Sequence, residues 1–157
     1  MLDLGCCIAQ ELRSLTHAGI PSTNLFGSDV VSSYLTTSYE LFNDASTFQA
    51  TLVPANIFSP TLFEDFFKGW ENKFTVVHAG LFLHLFNREQ QIVVCERVVK
   101  LMKAEKGSMF LGEMVGCRGG GYRGPKQTGF WAKGEEKKQV CRNFELVQLF
   151  LLCSTDY

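Results

Sequence analysis

The chain has 157 residues, 46% of them hydrophobic and 20% charged, enough for a single domain with a buried core. Fifteen Lys and Arg against sixteen Asp and Glu leave a formal net charge of -1, which excludes a global attraction to nucleic acid or to an anionic membrane. The longest apolar stretches, VVHAGLFLHLF and LVQLFLLC, fall well short of the roughly 20 residues of a membrane span, so no transmembrane segment is predicted.

The predicted elements alternate. MLDLG is a short buried strand that breaks at Gly5. Ile8, Leu12 and Leu15 then share one face of a helix stopped by Gly19 and Pro21. NLFGSDVV is a second strand ending in Asp29, followed by a helix over SSYLTTSYELF behind a Ser cap, with Tyr34, Leu35, Ser38, Leu41 and Phe42 as its stripe. ATLVPANIF is a third strand, with Pro54 tolerable only near a strand end or edge, and Pro60 suits the first turn of a helix over SPTLFEDFFKGW. KFTVVHA lacks polar alternation through Val77 and is predicted as a fourth strand covered on both faces. After a turn at GLFLHLF, Asn87 with Gln90 three residues later predicts a capped helix over REQQIVVCERVVKLMK, ended by Gly107. SMFLGEMV is the fifth strand.

Six cysteines, Cys6, Cys7, Cys95, Cys117, Cys141 and Cys153, form no C-x-x-C pair and no disulfide-like spacing, and no secretory leader is read ahead of them. They are expected to be reduced thiols of a cytoplasmic protein, with no metal site. From Arg118 the segment RGGGYRGPKQTGFWAKGEEKKQ reads as a glycine-rich basic loop. A glycine-arginine RNA contact with Tyr122 stacking on a base is the competing reading, but one copy in a neutral chain argues for a connecting or active-site loop.

Strands and helices in this rhythm predict an α/β fold: a mostly parallel sheet with right-handed crossovers and helices on both faces. Ligands of such sheets bind beyond the carboxyl ends of the strands, an edge that here carries Gly5, Asp29, Asn56 and His78. Gly5 lets backbone approach a ligand, and Asp29, 24 positions on at the next strand end, suits a carboxylate accepting from ribose hydroxyls. GCCIAQ keeps only the first glycine of G-x-G-x-x-G, with Cys6 read in the place of the second, so a pyrophosphate would be poorly cradled. A nucleoside without phosphates fits better, and S-adenosylmethionine is one.

The blocks LDLGCCIAQELRSL, NLFGSDVVSSYLTTSYELF, ANIF, FTVVHAGLFLHLFNREQQ and GSMFLGEMVG, taken in order, resemble the class I S-adenosylmethionine-dependent methyltransferases, and more narrowly the fungal methyltransferases of meroterpenoid biosynthesis. The resemblance covers residues 1–138. It implies a Rossmann-like sheet of strand order 3-2-1-4-5. It also implies that Asp3, Gly5 and Cys6 line the methionine part of the cofactor, that Asp29 and Val30 bind ribose, that Ala55, Asn56 and Ile57 flank adenine, and that His78 and Ala79 set backbone against the cofactor. Position 56 is usually aspartate in the family, and Asn56 still offers its side-chain carbonyl to the adenine amino group. The resemblance further implies a single domain, 1–157, O-methylating a carboxylic acid of a polyketide-terpenoid intermediate.

Methyl transfer is an in-line displacement, so alignment is what the protein mainly supplies. A carboxylate acceptor, with a pKa of about 4, needs no base; for a phenol or enol, His84 is the candidate. Arg118 or Arg123 would hold a substrate carboxylate. Plainer readings stand beside these. Asp3 and Gly5 could end a strand in any doubly wound protein. Asp29 could cap the next helix, His84 could be a core histidine, and Cys6 and Cys7 could be small packing residues.

The chain starts inside the first strand, where the family has a preceding helical section, and after Gln139 the tail, 139–157, no longer resembles it. The sixth and seventh strands, the last antiparallel, are therefore expected to be missing or altered, although the tail could supply one strand. Two other functions compete: a truncated or inactive relative that binds only cofactor or a partner, and a nicotinamide-dependent reductase. Exposed apolar surface could drive a homodimer.

Overall fold

The computed structural model describes residues 1–117 and 144–152, with side chains through Met114. Six strands form one sheet: β1 (Leu2–Leu4), β2 (Phe26–Asp29), β3 (Thr51–Pro54), β4 (Val76–Gly80), β5 (Met109–Cys117) and β6 (Phe144–Leu152), in the order β3-β2-β1-β4-β5-β6. The first five are parallel, in the predicted order. β6 runs antiparallel along β5, from Met109 opposite Leu152 to Cys117 opposite Phe144. The tail thus supplies a sixth strand, although its sequence carries no turn signal of the earlier kind.

Three α-helices join the strands: α1 (Gln10–His17), α2 (Ser32–Phe42) and α3 (Arg88–Leu101). α3 buries Val94, Val98 and Leu101, spaced four and three apart, and is closed by the predicted capping box: Gln90 N–H donates to Asn87 Oδ1 at 2.9 Å while Gln90 Oε1 accepts from Asn87 N–H at 3.2 Å. It joins the larger core, where Phe67 stacks on Trp70 at 4.5 Å between centroids and Phe26 and Phe74 meet Trp70 edge-on. Each fully buried side chain of this size contributes about 1.5–3 kcal/mol. A smaller cluster of Cys6, Ala9, Leu12, Leu25, Leu35, Phe48 and Ala50 fills the α1 and α2 side.

Several local expectations are corrected. α1 begins at Gln10 rather than Ile8, because Ala9 is left-handed at φ 55 and breaks the periodicity. α2 has no Ser cap: Val31 is its N-cap residue and makes no side-chain bond, and of the five-residue stripe only Leu35 and Ser38 are buried. The helix expected after Pro60 is a single π-helical turn (Leu62–Phe66), which turns Leu62 and Phe67, both fully buried, toward the same core. β4 is not covered equally on both faces, since Val77 and Ala79 are buried while Val76, His78 and Gly80 are half-buried. α3 stops at Leu101, and Gly107, at φ 93, belongs to the turn before β5. Pro54 ends β3, which is an edge strand of the sheet, as its missing N–H requires.

Candidate functional site

The carboxyl ends of β1, β2, β3 and β4 lie along one edge, at Leu4, Asp29, Pro54 and Gly80, and strand order reverses between β1 and β4. There the chain leaves β1 through Gly5, whose φ of 71 suits glycine. Gly5 N–H and Cys6 N–H both donate to Ser28 O, at 2.8 and 3.1 Å, which ties the turn to the end of β2. The position two after Gly5, which the second glycine of the motif would hold, is Cys7 and not Cys6. Cys7 is exposed and left-handed at φ 50, so the glycine-like backbone is kept by a residue with a side chain.

Asp29 faces this turn. Its Oδ2 accepts Cys7 N–H at 2.9 Å and its Oδ1 accepts Val31 N–H at 2.9 Å. A carboxylate offers about four acceptor sites, so among the described residues the partly exposed group keeps one open on each oxygen. That is the acceptor set two neighbouring hydroxyls need. The bond to Val31 N–H also sits at the start of α2, so the capping reading and the ribose reading are both compatible with this geometry.

The other positions divide. Asp3 is 2% exposed, and its Oδ1 accepts from His78 Nδ1 at 2.7 Å across the β1 and β4 register. Burial pushes the Asp3 carboxyl up, against the pull of His78. His78 is pushed up by its hydrogen bond to Asp3 and by the charges of Asp3, Glu11 and Glu113, with burial opposing. Cys6 is buried against Gly27, and burial together with Asp3 and Asp29 pushes its thiol far up, so it stays a neutral packing group. Both side chains are thus buried, Asp3 against His78 and Cys6 against Gly27. Val30 is 60% exposed.

Ala55 and Ile57 are buried, and exposed Asn56 accepts Phe58 N–H on Oδ1 at 2.9 Å, leaving one acceptor site and its amide N–H groups. Sequence reasoning missed Arg97. From α3 it donates to Ile57 O, and to Ser59 O at 2.7 Å, fixing this segment from beneath. No local pattern marks such a contact across some forty residues.

His84 lies in a short 3-10 turn (Leu83–Leu85). Its Nδ1 is buried without a partner among the described residues, and burial pushes its pKa down, which favours the neutral imidazole. Arg118 and Arg123 lie outside the described residues. A nucleoside fits the donor and acceptor set of this edge: a turn without a Cβ at Gly5, two open acceptor sites on Asp29, and amide groups at Asn56. S-adenosylmethionine would bring an electrophilic methyl group, held through Asp29 and the Gly5 turn.

No protein-family model matches the chain. It is 46% identical over 115 residues to the O-methyltransferase phiE of a fungal species, covering 73% of this chain and 38% of the relative. It is 40% identical over 116 residues to the O-methyltransferase atr3 of Stereocaulon alpinum (74% and 33%) and 40% identical over 119 residues to the methyltransferase prhM of Penicillium brasilianum (75% and 42%). The chain therefore spans well under half the length of these curated relatives. Among solved structures it superposes on the CcbJ methyltransferase of Streptomyces caelestis with a TM-score of 0.55 at 20% identity (71% of this chain, 41% of that one). It also superposes on the cyclase SpnF with a TM-score of 0.54 at 17% identity (73% and 38%). A methyltransferase and a cyclase on one scaffold mean that this likeness shows the fold alone. Over the part it shares with them, the chain is therefore similar in sequence to fungal methyltransferases, on the Rossmann-like fold of the class I S-adenosylmethionine-dependent methyltransferases.

Proposed function

We propose that this chain forms the cofactor-binding part of an S-adenosylmethionine-dependent O-methyltransferase of fungal secondary metabolism, acting on a carboxylic acid of a bulky lipophilic polyketide-terpenoid intermediate. The observation that carries the reading is Asp29, oriented by two backbone N–H groups with an open acceptor site on each oxygen beside the Gly5 turn. In this reading Asp29 takes the ribose hydroxyls, Gly5 lets the methionine limb cross the backbone, and the segment 55–57, held by Arg97, flanks adenine. Asp3 orients His78 beneath them, and Val30, largely exposed, borders the ribose.

The similarity to the O-methyltransferases phiE and atr3 supports oxygen as the acceptor atom. A carboxylate acceptor is ionised at neutral pH and needs no base; His84, neutral and partly buried, is the group that would take the proton of a hydroxyl acceptor instead. Arg118 and Arg123 are kept as the proposed anchors of the substrate carboxylate. No helix among the described residues is long and apolar enough to cross a membrane, in keeping with a proposed cytoplasmic protein. Ile92 and Val99, 52% and 71% exposed and seven residues apart on α3, line one surface that would serve a proposed homodimer.

The test is incubation of the protein with methyl-labelled cofactor and a panel of aromatic and terpenoid acids, read by mass spectrometry. A gain of one methyl group on an acid is expected. Transfer of label to none of the acids by a protein that binds no cofactor contradicts the proposal.

A further inference from the structure

We propose that Phe82 is a displaceable plug over the Gly5 turn, so that its ring and the methionine limb of the cofactor compete for one space. The inference rests on the cofactor reading given above. A Cβ built on Gly5 would stand 2.5 Å from Phe82 Cδ2 and 3.1 Å from Cε2, so the edge of this ring fills the surface that the missing side chain opens. A ligand brought against the same backbone needs that surface too. The two cannot be there together.

The backbone just before the ring is strained. Leu81, directly before it, is left-handed at φ 49, a conformation costly for a branched side chain, and it is 47% exposed, so its own burial offsets little of that strain. Leu81 is held by a backbone bond from its N–H to Glu113 O at 2.8 Å. Phe82 is half-buried and meets Phe86 edge-on at 5.0 Å, and Phe86 meets Phe58 in the same way at 5.0 Å. This aromatic row crosses from the segment after β3 to the Gly5 turn and gives the ring its resting place. A single 3-10 turn, pinned at Leu83 O and Phe86 O by Gln91 Nε2 at 3.0 Å, separates it from α3, so the ring withdraws by turning about its own side-chain torsions and not by moving the helix. The apparent affinity for cofactor is then reduced by the fraction of molecules in which the ring is seated.

The experiment is calorimetry and stopped-flow binding of S-adenosylhomocysteine to the full chain, its Phe82→Ala variant and its Phe82→Leu variant. Removing the ring is expected to tighten binding roughly three- to tenfold and to speed association. Phe82→Leu, which keeps apolar volume but loses the reach of the ring, moves the same way and carries the test if the alanine variant unfolds. Weaker or unchanged binding by a folded variant, beside a wild type that binds, overturns the plug alone and makes Phe82 a wall of the site. Absence of binding in every protein overturns the cofactor reading and the plug with it.

Discussion

His78 and Asp3 meet because β1 and β4 pair in parallel with those two residues in register, 75 positions apart in the chain. Their pairing makes stability depend on pH, with Glu11, Asp29 and Glu113 as the charged neighbours. A histidine raised in the folded state contributes stability that is complete below its unfolded value of about 6.5 and is lost as pH rises through its folded value. The raised Asp3 acts in the same direction from the ordinary carboxylate range upward, because ionising it costs more in the fold than in the open chain. The urea midpoint is therefore expected to fall as pH rises above about 6.5, with the fall much reduced in the double variant Asp3→Asn/His78→Gln, which removes both groups. An equal fall in the variant would assign the dependence to other groups. Gly5 and Asp29 were legible in the sequence because a strand, a turn and the next strand end announce them locally. The His78 contact was not, because it exists only through register. Nor was the left-handed backbone of Cys7 and Ala9, since neither residue type signals it.

At the scale of elements, α1 is eight residues long and has no side-chain cap, too short to persist in isolation. Arg13 anchors it. Its Nε and Nη2 reach Asp44 at 2.6 and 3.0 Å, Nη1 reaches Ile8 O at 2.7 Å, and the guanidinium lies over Phe48 and Phe42 at 4.2 and 4.4 Å from their centroids. The pair is partly buried, so Arg13→Ala leaves Asp44 without its counter-charge and is expected to cost about 2–3 kcal/mol in urea unfolding. A double change with Asp44→Ala should cost less than the two single changes added together. Additive costs would show that the aromatic contacts, rather than the ion pair, hold the helix. The capping box of α3 was readable four residues at a time, whereas the Arg13 clamp joins α1 to the end of α2 and has no local mark.

For the whole molecule, alternation of strand and helix predicted a mostly parallel sheet with right-handed crossovers, while the order β3-β2-β1-β4-β5 was implied by the family resemblance rather than by the alternation. β6 was legible only as an apolar run, since antiparallel return through a long connection carries no periodic signal. It pairs nine residues of β5, so deleting 144–157 exposes a long row of unpaired backbone groups. The shortened chain is expected to form larger species on size exclusion than the full chain does; an identical elution profile would mean that β5 is protected in another way.

The central claim is that Asp29 grips a nucleoside at the Gly5 turn, and calorimetry of S-adenosylhomocysteine with the wild type and Asp29→Asn tests it most directly. Saturable binding is expected in the wild type and a loss of about tenfold or more in a variant that stays folded, since a hydrogen bond to a charged acceptor contributes about 1.5–3 kcal/mol. Equal binding by the two proteins would contradict it.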